Sequence, residues 1–154
     1  MPTPDLWQVV AYEVRMFRAT HQELLKPGFT EQPKVCQNAI EESAVLHTRI
    51  LCEVFLTRGS QPDDITLENL FPDWRSNSKY AKLKGLIASL RTLYGSSFQV
   101  ASPCWIFNKM MAHPTSRRGS SYDYTIVLNQ LQQAINGIIS EVEHLRGIPF
   151  TWSW

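Results

Sequence analysis

Residues 123–146 place Val127, Leu128, Leu131, Ala134, Ile135, Ile138, Ile139, Val142 and Leu145 at intervals of three and four. An α-helix turns once every 3.6 residues, so this spacing gathers them on one face. A strand would split them between two faces, because its side chains alternate. A helix with so long an apolar face must bury it against neighbours, and other helices of the same kind are the simplest ones.

The rest of the chain supplies them. Residues 5–26 carry Leu6, Val9, Val10, Glu13, Phe17, His21 and Leu24 at helical spacing, with Pro4 and Asp5 at the start and Pro27-Gly28 as a stop. Residues 34–58 carry the clearest stripe: Val35, Cys36, Ala39, Ile40, Ser43, His47, Ile50, Leu51, Val54 and Phe55. Gly59 is expected to cap that helix, as Gly147 is to cap the one over 123–146, and the small residues Ala39, Ser43 and Ala44 to let a neighbour approach closely. A helix over 78–94 buries Tyr80, Leu83, Leu86, Ile87, Leu90 and Leu93, and its outer face has a basic bias from Lys79, Lys82, Lys84 and Arg91. A shorter helix, 103–113, ends where His113 precedes Pro114. Between the second and third helices, Ile65, Leu67, Leu70, Phe71 and Trp74 mark a short packed arm. The expected fold is all-α: one domain over 1–154, a single bundle of four to five main helices with a short helical arm.

With 44% hydrophobic and 19% charged residues the chain is globular, and at 154 residues it can bury a core without metals or disulfides. A net charge of +1 gives no long-range pull toward nucleic acid or acidic lipid. Cys36, Cys52 and Cys104 are widely spaced and form no Cys-x-x-Cys, so they read as small core residues in a reducing compartment. No apolar run approaches the roughly 20 residues needed to span a bilayer, and no secretory leader pattern opens the chain. A cytoplasmic protein with no membrane partner is expected. The aromatic tail 148–154 is expected to fold back on the bundle or to meet a partner.

Phosphate-binding loops, dinucleotide fingerprints, zinc-protease helices and nucleophile elbows are absent from the sequence. Glu141-x-x-His144 is half of a di-iron bundle motif without its second copy, so neither a metal nor another cofactor is expected. His47 lies in an apolar stripe and reads first as a hydrogen-bonded core residue. Glu42 and Arg49, two turns apart, suggest with it a phosphate-binding or acid–base group, or a structural ion-pair network. Asn108-Lys109-Met110-Met111-Ala112-His113 ends a helix, and Arg117 and Arg118 follow in a polar loop. His113 there either faces the negative end of the helix dipole or borders a ligand- or RNA-facing edge.

A polar residue, four intervening residues and a histidine ahead of the last long helix resemble the HEPN superfamily of small helical bundles. The likeness extends to bacterial proteins carrying patterns such as Asn38-Ala39-x-x-Glu42-x-x-x-x-His47-x-Arg49, an Asp63-Asp64 arm and an Asn-Lys-x-x-Ala-His segment. The resemblance implies a helical bundle, a homodimer, and a protein or RNA partner. Active members of the superfamily are metal-independent ribonucleases with an Arg-x(4–6)-His motif. Carried over, His113 would be the general acid or base. The arginine position, however, is filled by Asn108, with Lys109 beside it. Asparagine lacks the fixed charge that steadies a scissile phosphate, so Arg49, Arg117 or Arg118 would have to stand in. The missing arginine favours a non-catalytic domain binding a protein partner or nucleotide-like ligand over a ribonuclease of the defence or toxin–antitoxin kind. The expected site gathers Asn108 and His113 with Glu42, His47, Arg49, Lys109, Arg117 and Arg118.

Overall fold

The computed structural model describes residues 5–59, 63–112 and 123–150, the side chains of 110–112 excepted. The architecture is all-α, with no strand among the described residues. Helix α1, Leu6–Leu24, starts where the Asp5 carboxylate accepts the Trp7 N–H at 3.0 Å, which satisfies one of the orphan amides of a first turn. It buries Val10, Val14, Phe17, Thr20 and His21. Helix α2, Lys34–Leu56, lies along α1. Helix α4, Ala81–Tyr94, lies along α6, Thr125–Arg146. Contacts of α2 with both α4 and α6 join the two pairs into a bundle.

Phe17, Leu51, Leu83, Leu90, Leu128, Leu131, Ile135, Ile138 and Ile139 are fully buried in the common core. Each such aliphatic or aromatic side chain is worth roughly 1.5–3 kcal/mol when taken from water. The arm is packed, as its apolar residues predict. Helix α3, Leu67–Leu70, opens with a reciprocal cap between Thr66 and Asn69. Leu67, Leu70, Phe71 and Trp74 are buried, and Phe71 meets the Trp7 ring edge-on at 5.3 Å. Gly147, at φ +73°, closes α6 as the expected left-handed cap. Beyond it, Phe150 is buried, its N–H donates to Glu143 at 2.9 Å, and Arg146 stacks over Trp7 at 4.6 Å. That much of the tail folds back; residues 151–154 lie outside the described residues.

Three features depart from the sequence expectation. First, α2 ends at Leu56, not at Arg58. Thr57 turns extended and its hydroxyl donates to Glu53 O at 2.7 Å, while Gly59, at φ +70°, serves the following loop. Arg91 of α4 donates to the carbonyl of Leu56 at 3.1 Å, so a neighbouring helix supplies the cap. Second, the stripe of α2 is buried only from Ala44 onward; Val35, Cys36 and Ala39 are exposed. Third, the helix predicted over 103–113 is one α-turn, α5, Pro103–Ile106, continued by a π-helix over Phe107–Ala112.

The basic bias of α4 is largely consumed within the molecule. Lys79 pairs with Asp73 at 3.6 Å, Lys82 with Glu141, and Lys84 donates to Arg75 O at 2.8 Å. The pairing of Glu141 with Lys82 also accounts for the half di-iron motif: a buried carboxylate needs a cation, and one is present. Among the described residues, no helix is long and apolar enough to cross a membrane.

Candidate functional site

Helix α2 positions most of the candidate residues, and it deals them to two sides. Glu42 and Arg49 are seven residues apart and share a face. His47 is five from Glu42, about 140° around the axis, and faces α1. The expected convergence of Glu42, His47 and Arg49 on one pocket is therefore not what the helix provides. His113, Arg117 and Arg118 lie outside the described residues.

On the α1 side, His47 Nδ1 meets Glu13 Oε2 at 2.7 Å. A carboxylate only accepts, so Nδ1 carries the hydrogen and donates. The two side chains are 7% and 12% exposed, which makes this the most secluded histidine–carboxylate contact described. The Tyr12 ring stands edge-on to the imidazole at 6.0 Å. Glu13's other oxygen makes no hydrogen bond among the described residues. Glu13 is one of the residues that line a groove of about 630 Å³ between α1, α2 and the segment after α2. Val9, Val10, Ile50, Val54 and Ile65 supply the apolar walls; Glu53, Arg58, Asp63 and Asp64 supply polar ones.

On the opposite side, Glu42 and Arg49 line a second groove, about 420 Å³, with Ala39, Ser43, Leu46 and Phe107. Arg49 donates from Nε to Glu53 at 2.9 Å, and this pair crosses the ridge of α2 from the second groove to the first. Asn108 follows Phe107 and donates to Cys104 Sγ at 3.7 Å. Lys109 is exposed on the π-helix.

The thiols of Cys52 and Cys104 are both shifted toward the protonated form. Burial pushes the Cys52 thiol well above its ordinary range. Burial raises Cys104 as well, against the opposing pull of the Tyr94 hydroxyl and the Arg49 charge. Burial, and then the neighbouring Cys52, raise the Tyr94 phenol far above its usual value. None of the three is an activated nucleophile, since the thiolate or phenolate is the reactive form. Cys36 is exposed and is not a core residue. Among the described residues no group of three or more His, Cys, Asp or Glu is placed to hold a metal ion.

Glu13 was visible in the sequence as a carboxylate interrupting the apolar stripe of the first helix. A charge on a face that must be buried signals a partner on the facing helix, and His47 is that partner. His21, on the same face, is 2% exposed and bonds the Phe17 carbonyl through Nδ1 at 2.8 Å. Its imidazole is drawn below the ordinary histidine range by burial, with the Phe17 and Leu128 carbonyls opposing. It is a core residue far more than a site. No protein-family model, curated protein or solved structure matches this chain.

Proposed function

We propose that this chain is a non-catalytic helical binding domain of HEPN-like type, whose larger groove takes a basic side chain of a protein partner. The observation that carries the reading is Glu13. It is a mostly buried carboxylate, oriented through one oxygen by His47, with its second oxygen unbonded among the described residues, on a residue that lines a 630 Å³ groove. A concave, apolar-walled site with a few oriented polar groups is the usual form of a binding pocket. An ammonium or guanidinium group brings donors and opposite charge to that carboxylate. Its alkyl stem suits the Val9, Ile50 and Ile65 walls.

Glu53 is offset by Arg49, but Glu13, Asp63 and Asp64 still outnumber the one cation of the lining, Arg58, and this favours a basic peptide over a nucleotide-like ligand or RNA. Calorimetric titration with a short lysine-rich peptide and with a glutamate-rich counterpart tests the reading. The lysine-rich peptide is expected to bind. The double change Asp63→Asn/Asp64→Asn is expected to weaken it about tenfold, roughly 1.4 kcal/mol. Raised salt should weaken it too. Equal affinity for the two peptides, or none for either, sinks the proposal. Metal-independent cleavage of RNA, lost in His113→Ala, would instead favour the ribonuclease alternative.

A further inference from the structure

A third groove, about 340 Å³, lies where the start of α1 meets the end of α6 and the segment that follows it. Its chemistry is the reverse of the larger groove's. Asp5 is the one carboxylate of the lining, and its charge serves α1: it accepts the Trp7 N–H at 3.0 Å at the positive end of the helix dipole. Arg15 also lines the groove and has a partner within the chain. The charge left unspent is that of Arg146.

The Arg146 guanidinium lies 4.6 Å from the centre of the Trp7 ring and 5.5 Å from that of Phe150. Both rings are themselves held. Phe71 of the arm meets Trp7 edge-on, and Phe150 is buried with its N–H on Glu143. Glu143 precedes Arg146 by three residues on α6, a spacing at which an ion pair is ordinary. It is taken instead by Arg18 at 3.3 Å and by the Phe150 N–H at 2.9 Å. Among the described residues the Arg146 guanidinium makes no ion pair and no hydrogen bond, the carbonyls that end α6 included. Fastening the tail to Trp7 needs only an apolar side chain. A guanidinium adds a permanent charge and a planar fork of N–H donors, and the two rings orient that fork before any ligand arrives.

We propose that this groove binds a small monocarboxylic acid, its carboxylate on the fork of Arg146 and its apolar body against Ile148 and Pro149. A carboxylate matches the guanidinium fork with two parallel hydrogen bonds. One unspent cation is neutralised by one carboxylate, whereas a phosphate dianion or an acidic peptide brings surplus charge to a groove that Asp5 also lines. The groove's size is at the lower end for small-molecule sites. It shares no residue with the larger groove, so the acid and the basic peptide are separate proposals.

Calorimetric titration of the full chain with phenylacetate, phenylacetamide and inorganic phosphate tests it. Phenylacetate is expected to bind. Phenylacetamide has the same body without the charge and is expected to bind at least about tenfold more weakly. Phosphate is expected to bind more weakly than phenylacetate as well. Arg146→Met keeps an unbranched stem over Trp7 and removes the charge; it is expected to lose about tenfold in affinity for phenylacetate while its affinity for the amide stays as it was. If that variant melts early, Arg146→Lys takes its place: it keeps the charge without the fork and is also expected to bind phenylacetate more weakly. The nuclear magnetic resonance signal of the Trp7 indole N–H, identified by its loss in Trp7→Phe, is expected to move on saturation with phenylacetate. A chain that does not bind phenylacetate, that binds the amide as tightly, or that prefers phosphate overturns the proposal. So does full affinity in the Arg146 variant used, or a Trp7 signal that stays in place.

Discussion

The two halves of α2 obey the same sequence rule and meet opposite fates. From Ala44 to Phe55 the helix is clamped: Ala44, Val45, His47, Thr48, Leu51, Cys52, Val54 and Phe55 are buried against α1, α4 and α6. From Lys34 to Glu42 the same apolar period continues, yet Val35, Cys36 and Ala39 face outward. Periodicity states which residues share a face. It does not state whether a neighbour arrives to cover that face, because the neighbour comes from elsewhere in the chain.

The sharpest way to break this contrast is to truncate at its buried end. Leu51→Ala is expected to cost about 2–5 kcal/mol, the range for removing a fully buried leucine from a core that collapses only partly. Denaturant melts measure it, and a loss below about 0.5 kcal/mol would place the clamp elsewhere. Ile50→Ala should cost less, because Ile50 is half-buried and lines the larger groove.

Next comes the polar contact within the clamp. Glu13→Leu leaves the His47 Nδ1–H without its acceptor in a secluded position and is expected to cost about 1–3 kcal/mol. The double variant Glu13→Leu/His47→Leu should recover part of that loss, since replacing both partners removes the orphaned donor. A double variant no more stable than Glu13→Leu alone would show that the pair does not couple α1 to α2.

A smaller effect is expected from His21. Burial lowers its folded-state affinity for a proton, so between its folded value and the ordinary 6.5 the unfolded chain binds more proton than the folded one. Stability from this group is therefore full above about pH 6.5 and falls as the pH drops through that value. One proton limits the slope to about 1.4 kcal/mol per pH unit. Melts from pH 7.5 to 5 of the unaltered chain and of His21→Gln should diverge in that direction. Parallel curves would remove His21 from the account. Smallest of all is the open end of α2: Val35→Ser is expected to change stability by less than about 0.5 kcal/mol. A larger loss would mean that the exposed half is covered after all.

The helices themselves were legible because each long apolar segment repeats at helical spacing, and Gly147 was legible as a cap. The arm was legible because Leu67, Leu70, Phe71 and Trp74 are too apolar for a free linker. The π-helix was not legible: Ile106 and Met110, and Phe107 and Met111, are four residues apart, a spacing an α-helix satisfies, and the i→i+5 step is made by the backbone alone. The two grooves were half legible. Glu42 and Arg49, seven residues apart, share a face of α2 and line the second groove, whereas His47 lies about 140° from Glu42 and about 160° from Arg49 and meets Glu13 instead. The pairing of His47 with Glu13 spans 34 residues and depends on how α1 lies along α2, which no local pattern encodes.

The last carbonyl of α2 is satisfied from outside, by Arg91 on α4. Helix ends ordinarily fray on their own, and their amides exchange with solvent far faster than those of the core. Here the final turn of α2 cannot loosen without releasing a bond to another helix. Its amides should therefore share the protection of α4, and the two segments should open as one unit. Arg91→Met would separate them: the amides of Phe55 and Leu56 would begin to exchange ahead of those in the middle of α4.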